Sequence, residues 1–203
     1  RLNLEHHNFL TEKGETQVIY GAIDVEIHAG SDGRYYVLDL ARTLPPDPRR
    51  SKEDLILEQH GKYKSNKKKS SHLFELFRSE LIYSYSASLC CNAFTSSCKS
   101  PKVCKTNLIA LKDRLINSII PLAASAYDCF CDGDFQFPVS CFIHAFGINV
   151  RYLGKFFTLL KSKRTKKLVE KEMVSRSLKV FWRKHLRRVS FEVGSLSPVS
   201  LCS

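Results

Sequence analysis

The residues able to do chemistry in this chain are cysteine, histidine and a dense run of lysine and arginine. Eight cysteines stand at Cys90, Cys91, Cys98, Cys104, Cys129, Cys131, Cys141 and Cys202. Zinc knuckles present C-x2–4-C pairs joined to a second pair or to histidines at regular spacing. Here Cys90 is adjacent to Cys91, the steps to Cys98 and Cys104 are seven and six, and Cys129 and Cys131 are two apart, so no C-x-x-C occurs. The expectation is free, mostly buried thiols packed as small hydrophobes, with no metal and no cofactor. A secreted disulfide scaffold is a poor fit to 203 residues opening on the polar, mixed-charge Arg1–His7.

A nucleophile–base set can be assembled on paper from a cysteine, His144 and Asp39, yet no spacing supports it. G-x-S-x-G, Walker A and H-E-x-x-H are all missing. An enzyme site around Arg34, Asp39, His144 and Asn149 would require those side chains to line one pocket. The expectation is a non-enzymatic protein with no catalytic residue.

The basic residues carry more information. Lysine and arginine number 32 against 20 acidic residues, a formal charge of +12. Residues 1–60 hold 7 basic and 11 acidic side chains, residues 61–160 hold 13 and 6, and residues 161–203 hold 12 and 3. The excess is therefore concentrated at the C-terminal end, where it favours an anionic partner such as RNA, a ribosome or a membrane surface. Lys163, Arg164, Lys166 and Lys167 at the start of that segment, and Arg183, Lys184, Arg187 and Arg188 at its end, are candidate phosphate contacts. Two plainer readings compete. Lysine stems can cover apolar neighbours on a solvated face, and basic groups near a helix C-terminus suit its dipole. A second basic run, Lys62, Lys64 and Lys67–Lys69, sits among Ser and Asn without apolar periodicity and reads as a solvated loop.

The elements that must position these residues follow from composition and pattern. Hydrophobic residues at 43% and aromatics at 11% exclude wholesale disorder. No apolar run reaches the roughly 18 residues of a membrane span; Leu115–Ala126 is short and carries Asn117, Ser118, Pro121 and Ser125. The only methionine is Met173, so a chain opening at Arg1 reads as a piece of something longer. Residues 1–16 lack periodicity and read as a leader. Residues 17–24 read as a short buried strand. Asp32-Gly33 between Val25–His28 and Arg34–Leu40 is a strong hairpin signal.

The prolines after Leu44 stop the sheet, and residues 47–70 form a polar insertion with at most a short helix at 51–59. Helical spacing appears at Leu73, Phe74, Phe77 and Leu81, then an irregular cysteine-rich stretch runs over 88–104. A helix from about Thr106 to Tyr127 is kinked by Pro121, and Asp132-Gly133-Asp134 is a turn. Pro138 opens a short helix ended by Gly147, and Asn149 caps the next. The last helix spans about 165–187, with Val174, Leu178, Phe181, Trp182 and His185 towards the core. Residues 190–203 form a flexible tail. The expected fold is α+β, a small N-terminal antiparallel hairpin or sheet followed by a mainly α-helical half.

Several words resemble the clustered mitochondria (Clu) domain when taken together and in order. They are Val18-Ile19-Tyr20-Gly21; Gly30-Ser31-Asp32-Gly33-Arg34-Tyr35-Tyr36-Val37-Leu38-Asp39 with Ala41-Arg42-Thr43 and Pro45-Pro46; and His144-x-x-Gly147-Ile148-Asn149-x-Arg151-Tyr152-Leu153-Gly154. Glu172-Met173-x-x-Arg176-x-x-Lys179 stands where the family has a comparable helix. The chain departs from the family's usual words at Arg78-Ser79-Glu80-Leu81 and Cys91-Asn92-Ala93-Phe94. The resemblance places a Clu domain at 17–189. It implies a cytoplasmic protein that binds mRNAs for mitochondrial proteins, keeps mitochondria distributed and associates with ribosome complexes or translation initiation factor 3. It brings no catalytic residue. A purely structural or protein-interaction scaffold without its own RNA binding is the alternative.

Overall fold

The structure is a computed structural model that describes residues 2–10, 14–38, 43–48, 75–95, 98–131 and 137–194. The Lys62–Lys69 run, the 51–59 helix, the 132–134 turn, Asp39 and Cys202 lie outside the described residues. Strands β1 (His6–Leu10) and β2 (Thr16–Tyr20) pair antiparallel, with His6 opposite Tyr20. Strands β3 (Glu26–Ala29) and β4 (Tyr35–Leu38) form a second antiparallel pair, with Glu26 opposite Leu38. The helices are α1 (Ser79–Tyr83), α2 (Pro101–Arg114), α3 (Ile120–Phe130), α4 (Val139–Ala145), α5 (Leu153–Leu159) and α6 (Lys163–Gly194). The fold is the expected α+β arrangement of small antiparallel strand pairs ahead of a mainly helical region.

The β3–β4 turn forms where Asp32-Gly33 places it. Gly33 adopts φ +77°, its N–H donates to the Gly30 carbonyl at 3.1 Å, and Asp32 accepts from the Arg34 N–H at 3.1 Å. The described side chains of both hairpins are mostly exposed, however, His7 excepted, and this includes the strand at 17–20 expected to be buried; Tyr35 is 79% accessible. Two separate two-stranded ribbons have no second layer to pack on, so β-rich composition does not bury them. Residues 6–10 also add a strand where local patterning gives no sign of one. Asn92 ties this region to the body: fully buried, it accepts from the Ile23 N–H and donates to the Gly21 carbonyl, both at 3.2 Å.

The core sits among the helices. Leu108, Leu111, Leu115, Ile120, Tyr127, Ile143, Phe156 and Val169 are all essentially inaccessible. Tyr127 packs against Phe142 and Phe156 with ring centres 4.9 and 5.8 Å away, and its hydroxyl donates to the Phe137 carbonyl. The kink expected at Pro121 takes the form of a π-helical turn, Leu115–Ile119, between α2 and α3. The wider turn accommodates a proline that lacks an N–H and would clash with the preceding turn of a regular α-helix.

The α4–α5 junction follows its sequence closely. Gly147 takes φ +71°, its N–H donates to the His144 carbonyl, and the Ile148 N–H donates to the Ile143 carbonyl, a Schellman ending. The Asn149 side chain then accepts from the Arg151 N–H at 3.3 Å and caps the 3-10 turn Val150–Tyr152 that leads into α5. A Cβ on Gly147 would lie 2.5 Å from the Leu81 backbone nitrogen, whereas one on Gly154 meets nothing within 4 Å. Gly147→Ala should therefore lower stability by at least about 2 kcal/mol, combining the left-handed backbone penalty with overpacking. Gly154→Ala should be neutral or stabilising by up to about 1 kcal/mol. Urea midpoints of the two variants at equal m-value check the contrast.

Candidate functional site

Two features could serve function: a buried polar cluster that holds the halves together, and the helix it supports. The cluster centres on Asp47, which is 1% accessible. Residues 45–47 lie alongside 75–77: the Asp47 N–H donates to the Glu75 carbonyl and the Phe77 N–H to the Pro45 carbonyl, at 2.7 and 2.9 Å. That extended pairing replaces the helix expected around Phe77, and α1 begins only at Ser79. Arg151 Nε donates to Asp47 Oδ2 at 3.1 Å and its Nη2 reaches the same oxygen, while Nη2 also donates to the Leu76 carbonyl at 2.8 Å. The Tyr152 hydroxyl donates to Asp47 Oδ2 at 2.6 Å. Lys112 Nζ stands 3.5 Å from Oδ1 and donates to the Pro48 carbonyl.

Oδ1 makes no hydrogen bond, so Lys112 balances it by charge alone. Burial and the adjacent carboxylate hold the Tyr152 phenol protonated far above its ordinary range. The same carboxylate raises Arg151 against the opposing effect of burial. These bonds join 45–48, 75–77 and the α4–α5 junction through one carboxylate, which makes the arrangement a clamp.

Helix α6 starts from a firm anchor. Asp128, near the end of α3, accepts from the Lys161 N–H at 2.7 Å and from the Thr165 hydroxyl. Ser162 Oγ accepts from the Arg164 N–H at 3.3 Å, and Thr165 and Val169 are fully buried. Beyond Met173 the helix is exposed. Val174, Leu178, Phe181 and Trp182, expected in the core, are each more than half accessible, and His185 is exposed as well. Their helical spacing is real, but these positions are not packed into the core: Val174, Leu178 and Phe181 line an open groove with Phe157 and Met173.

The candidate phosphate contacts fall in two groups on this helix. Lys163, Arg164 and Lys167 are exposed, Lys166 is partly so, and Arg183, Lys184 and Arg187 are exposed; the Arg188 side chain lies outside those described. About 30 Å of helix separates the two groups. The second group does not sit at a helix C-terminus, because α6 continues to Gly194 and its last turn carries no basic residue. The dipole explanation for that cluster is therefore withdrawn, since the effect fades within one turn. The first group stands at the N-terminal end, where cations oppose the dipole and no acidic residue shares the first turn.

Sequence reasoning missed what surrounds the second group. Phe181, Trp182 and His185 form a ring cluster with centres 6.2–6.5 Å apart, and the Phe181 and His185 planes are tilted by only 4°. The interleaving of aromatic and basic residues over 181–187 is the signal that could have found it.

The family-word residues serve different ends. Gly30, Asp32, Gly33, Arg34 and Tyr35 build the exposed hairpin, where Arg34 is 3.9 Å from Asp32. His144, Gly147, Asn149, Arg151, Tyr152 and Gly154 build the α4–α5 junction. Burial, and then the nearby Arg78 guanidinium, lower the His144 imidazole below its ordinary range. Five of the seven described cysteines are buried free thiols, and Cys129 and Cys141 are exposed. No helix among the described residues is long and apolar enough to cross a membrane.

Two small antiparallel strand pairs ahead of a helical body, a buried charge that ties the 45–48 segment to that body, and one long basic helix define an α+β domain. Residues 1–49 match the Clustered mitochondria family, and residues 136–197 match the family of translation initiation factor eIF3 subunit 135. A clustered mitochondria protein homolog of Candida glabrata is 30% identical over 152 residues, covering 65% of this chain and 11% of the relative. The homolog of Aedes aegypti is 32% identical over 84 residues, 41% of this chain and 6% of its own length. That of Xenopus tropicalis is 39% identical over 46 residues, 23% and 4%. The chain is thus similar to clustered mitochondria proteins over its N-terminal segment and along much of its length. The matched segments span 11% or less of these relatives' own lengths. No solved structure matches the chain. Asp47 falls in the first matched segment, and Arg151 and Tyr152 in the second.

Removing the central charge should separate the two segments energetically. Asp47→Asn leaves Arg151 and Lys112 facing each other in a largely dry site and should cost about 3–5 kcal/mol, read from chemical denaturation. The Tyr152 proton supplies a second check. The folded state binds it more tightly than the unfolded chain does, so its contribution is intact through neutral pH. It is lost progressively as pH rises above the ordinary phenol value of about 10. Tyr152→Phe should flatten that alkaline decline in the denaturation midpoint.

Proposed function

We propose that this chain is a non-enzymatic Clu-type module whose exposed α6 surface binds single-stranded RNA. In this reading it acts in the cytoplasm on mRNAs for nuclear-encoded mitochondrial proteins, alongside ribosome-associated complexes such as translation initiation factor 3, and so contributes to mitochondrial distribution. The observation that carries it is the exposed ring cluster Phe181, Trp182 and His185 set among Arg183, Lys184 and Arg187. Aromatic faces stack on bases while neighbouring cations follow the phosphates, a pairing suited to single strands and tolerant of sequence. The likeness of residues 136–197 to an initiation-factor subunit supports a role beside the translation machinery. Neither basic group is explained by helix stability.

A protein-interaction scaffold is the second reading. It is favoured by the apolar groove in which Phe157 and Met173 meet Val174, Leu178 and Phe181. The two readings separate experimentally, because the only tryptophan of the chain is Trp182. Titration with an unstructured oligonucleotide at low salt should quench its fluorescence saturably. The affinity should fall linearly in log salt, with charge reversal of Arg183, Lys184 and Arg187 lowering the slope by about 2. Trp182→Ala should weaken filter binding about 5- to 150-fold, the range for one lost stacking partner. Absence of binding at low salt would assign α6 to a protein contact instead.

A further inference from the structure

The cysteine spacing hides a cluster that the fold assembles. Cys90, Cys98 and Cys104 are all buried, and their sulfurs lie within 4.8 Å of one another. Cys90 Sγ is 3.9 Å from Cys98 Sγ and 3.7 Å from Nε2 of His7, which is itself 5% accessible. Tetrahedral zinc with sulfur at about 2.3 Å and nitrogen at about 2.0–2.1 Å sets neighbouring ligand atoms about 3.5–3.8 Å apart. The three sulfurs form the mutually close group, and His7 adjoins it at Cys90; the four donors come from three places: β1, the irregular stretch after Leu89, and the first turn of α2. Backbone bonds hold the first two in place, since Glu5 N–H donates to the Leu89 carbonyl and Leu89 N–H to the Asn3 carbonyl, at 2.9 and 3.0 Å. On the far side, Cys104 Sγ donates to Glu5 at 3.2 Å.

We propose that Cys90, Cys98, Cys104 and His7 form a structural Cys3His zinc site. The metal binds without any oxidation or reduction: Zn2+ takes the place of up to three thiol protons, which are released to solvent, and His7 coordinates through its neutral Nε2. Four protein ligands leave no position for water, so the site is structural and not catalytic. Its role is to staple the N-terminal strand pair to α2, a region with few apolar contacts of its own. Burial raises the Cys90 and Cys104 thiols, the latter to about 12, and lowers His7. Without a cation, then, Cys90 and Cys104 stay protonated beside a neutral His7 imidazole.

Purification of the 203-residue chain under reducing conditions, followed by elemental analysis, should find one zinc per chain. Replacement by Co2+ should give the intense visible bands of tetrahedral cobalt with a thiolate-to-metal charge-transfer band. The Cys129→Ser/Cys141→Ser variant should keep both results. His7→Ala should lower Zn2+ affinity at least about tenfold, and His7→Cys should restore binding with the cobalt bands shifted towards those of a four-sulfur site. That restoration keeps the proposal testable if a cysteine variant fails to fold. Three results would overturn it: zinc-free wild-type protein that does not take up Co2+, a tetrahedral cobalt spectrum unchanged in His7→Cys, or a Cys90–Cys98 disulfide in protein alkylated without reduction.

Discussion

The fold depends on one buried charge having its counter-charges in place. A carboxylate at the depth of Asp47 is costly unless it is paired and hydrogen-bonded. Here the pairing is unusually complete on one oxygen, with the Arg151 fork and the Tyr152 hydroxyl converging on Oδ2. Arg151 does more than neutralise. Its bond to the Leu76 carbonyl means that one guanidinium touches both extended segments, 45–48 and 75–77, as well as its own junction. Arginine suits this task and lysine does not, because a planar fork can serve two acceptors in fixed directions. The consequence reaches the scale of the family. The segment matching the Clu family and the segment matching the initiation-factor subunit family are joined through this contact, so undocking the first strips Arg151 in the second of its carboxylate and leaves the buried Lys112 unpaired.

The parts of the molecule that were legible in the sequence are those whose cause is local. The Asp32-Gly33 turn, the Gly147 ending and the Asn149 cap each depend on a backbone angle or an i+2 hydrogen bond that the residue itself supplies. Asp47 is the opposite case. In Pro45-Pro46-Asp47-Pro48 it reads as the start of a polar loop, because its partners lie at Glu75, Lys112, Arg151 and Tyr152 and only the tertiary fold brings them near. The cysteines fail to signal for the same reason. Spacing rules describe knuckles in which one short loop supplies two ligands, whereas Cys90, Cys98, Cys104 and His7 converge from separate elements.

Helix α6 shows a subtler limit of pattern. Val174, Leu178, Phe181 and Trp182 recur at helical spacing and therefore report an amphipathic face correctly. Periodicity says that such a face should be covered, but it is silent on what covers it. The body of this domain ends at about Met173, and the anchor formed by Asp128, Thr165 and Val169 accounts for only the first turns. The Arg176–Glu172 pair, one turn apart, adds a few tenths of a kcal/mol at most to an exposed helix.

What the exposed part of α6 meets is constrained by having both kinds of side chain at once. An apolar protein partner would satisfy Leu178 and Phe181, yet it would also have to desolvate or pair Arg183, Lys184 and Arg187 beside them. A membrane surface would accept the cations and the rings, but the basic residues of α6 spread around the helix and do not form one stripe: Lys166 and Lys184 align, whereas Lys163 and Arg183 are roughly 160° apart around an axis of 3.6 residues per turn. A flexible single strand meets neither difficulty. It can follow a curved path between the two groups, place phosphates against the cations, and turn its bases onto Phe181, Trp182 and His185. On the RNA reading, the acidic excess of residues 1–60, 11 acidic against 7 basic side chains, would disfavour phosphate contact at the N-terminal end.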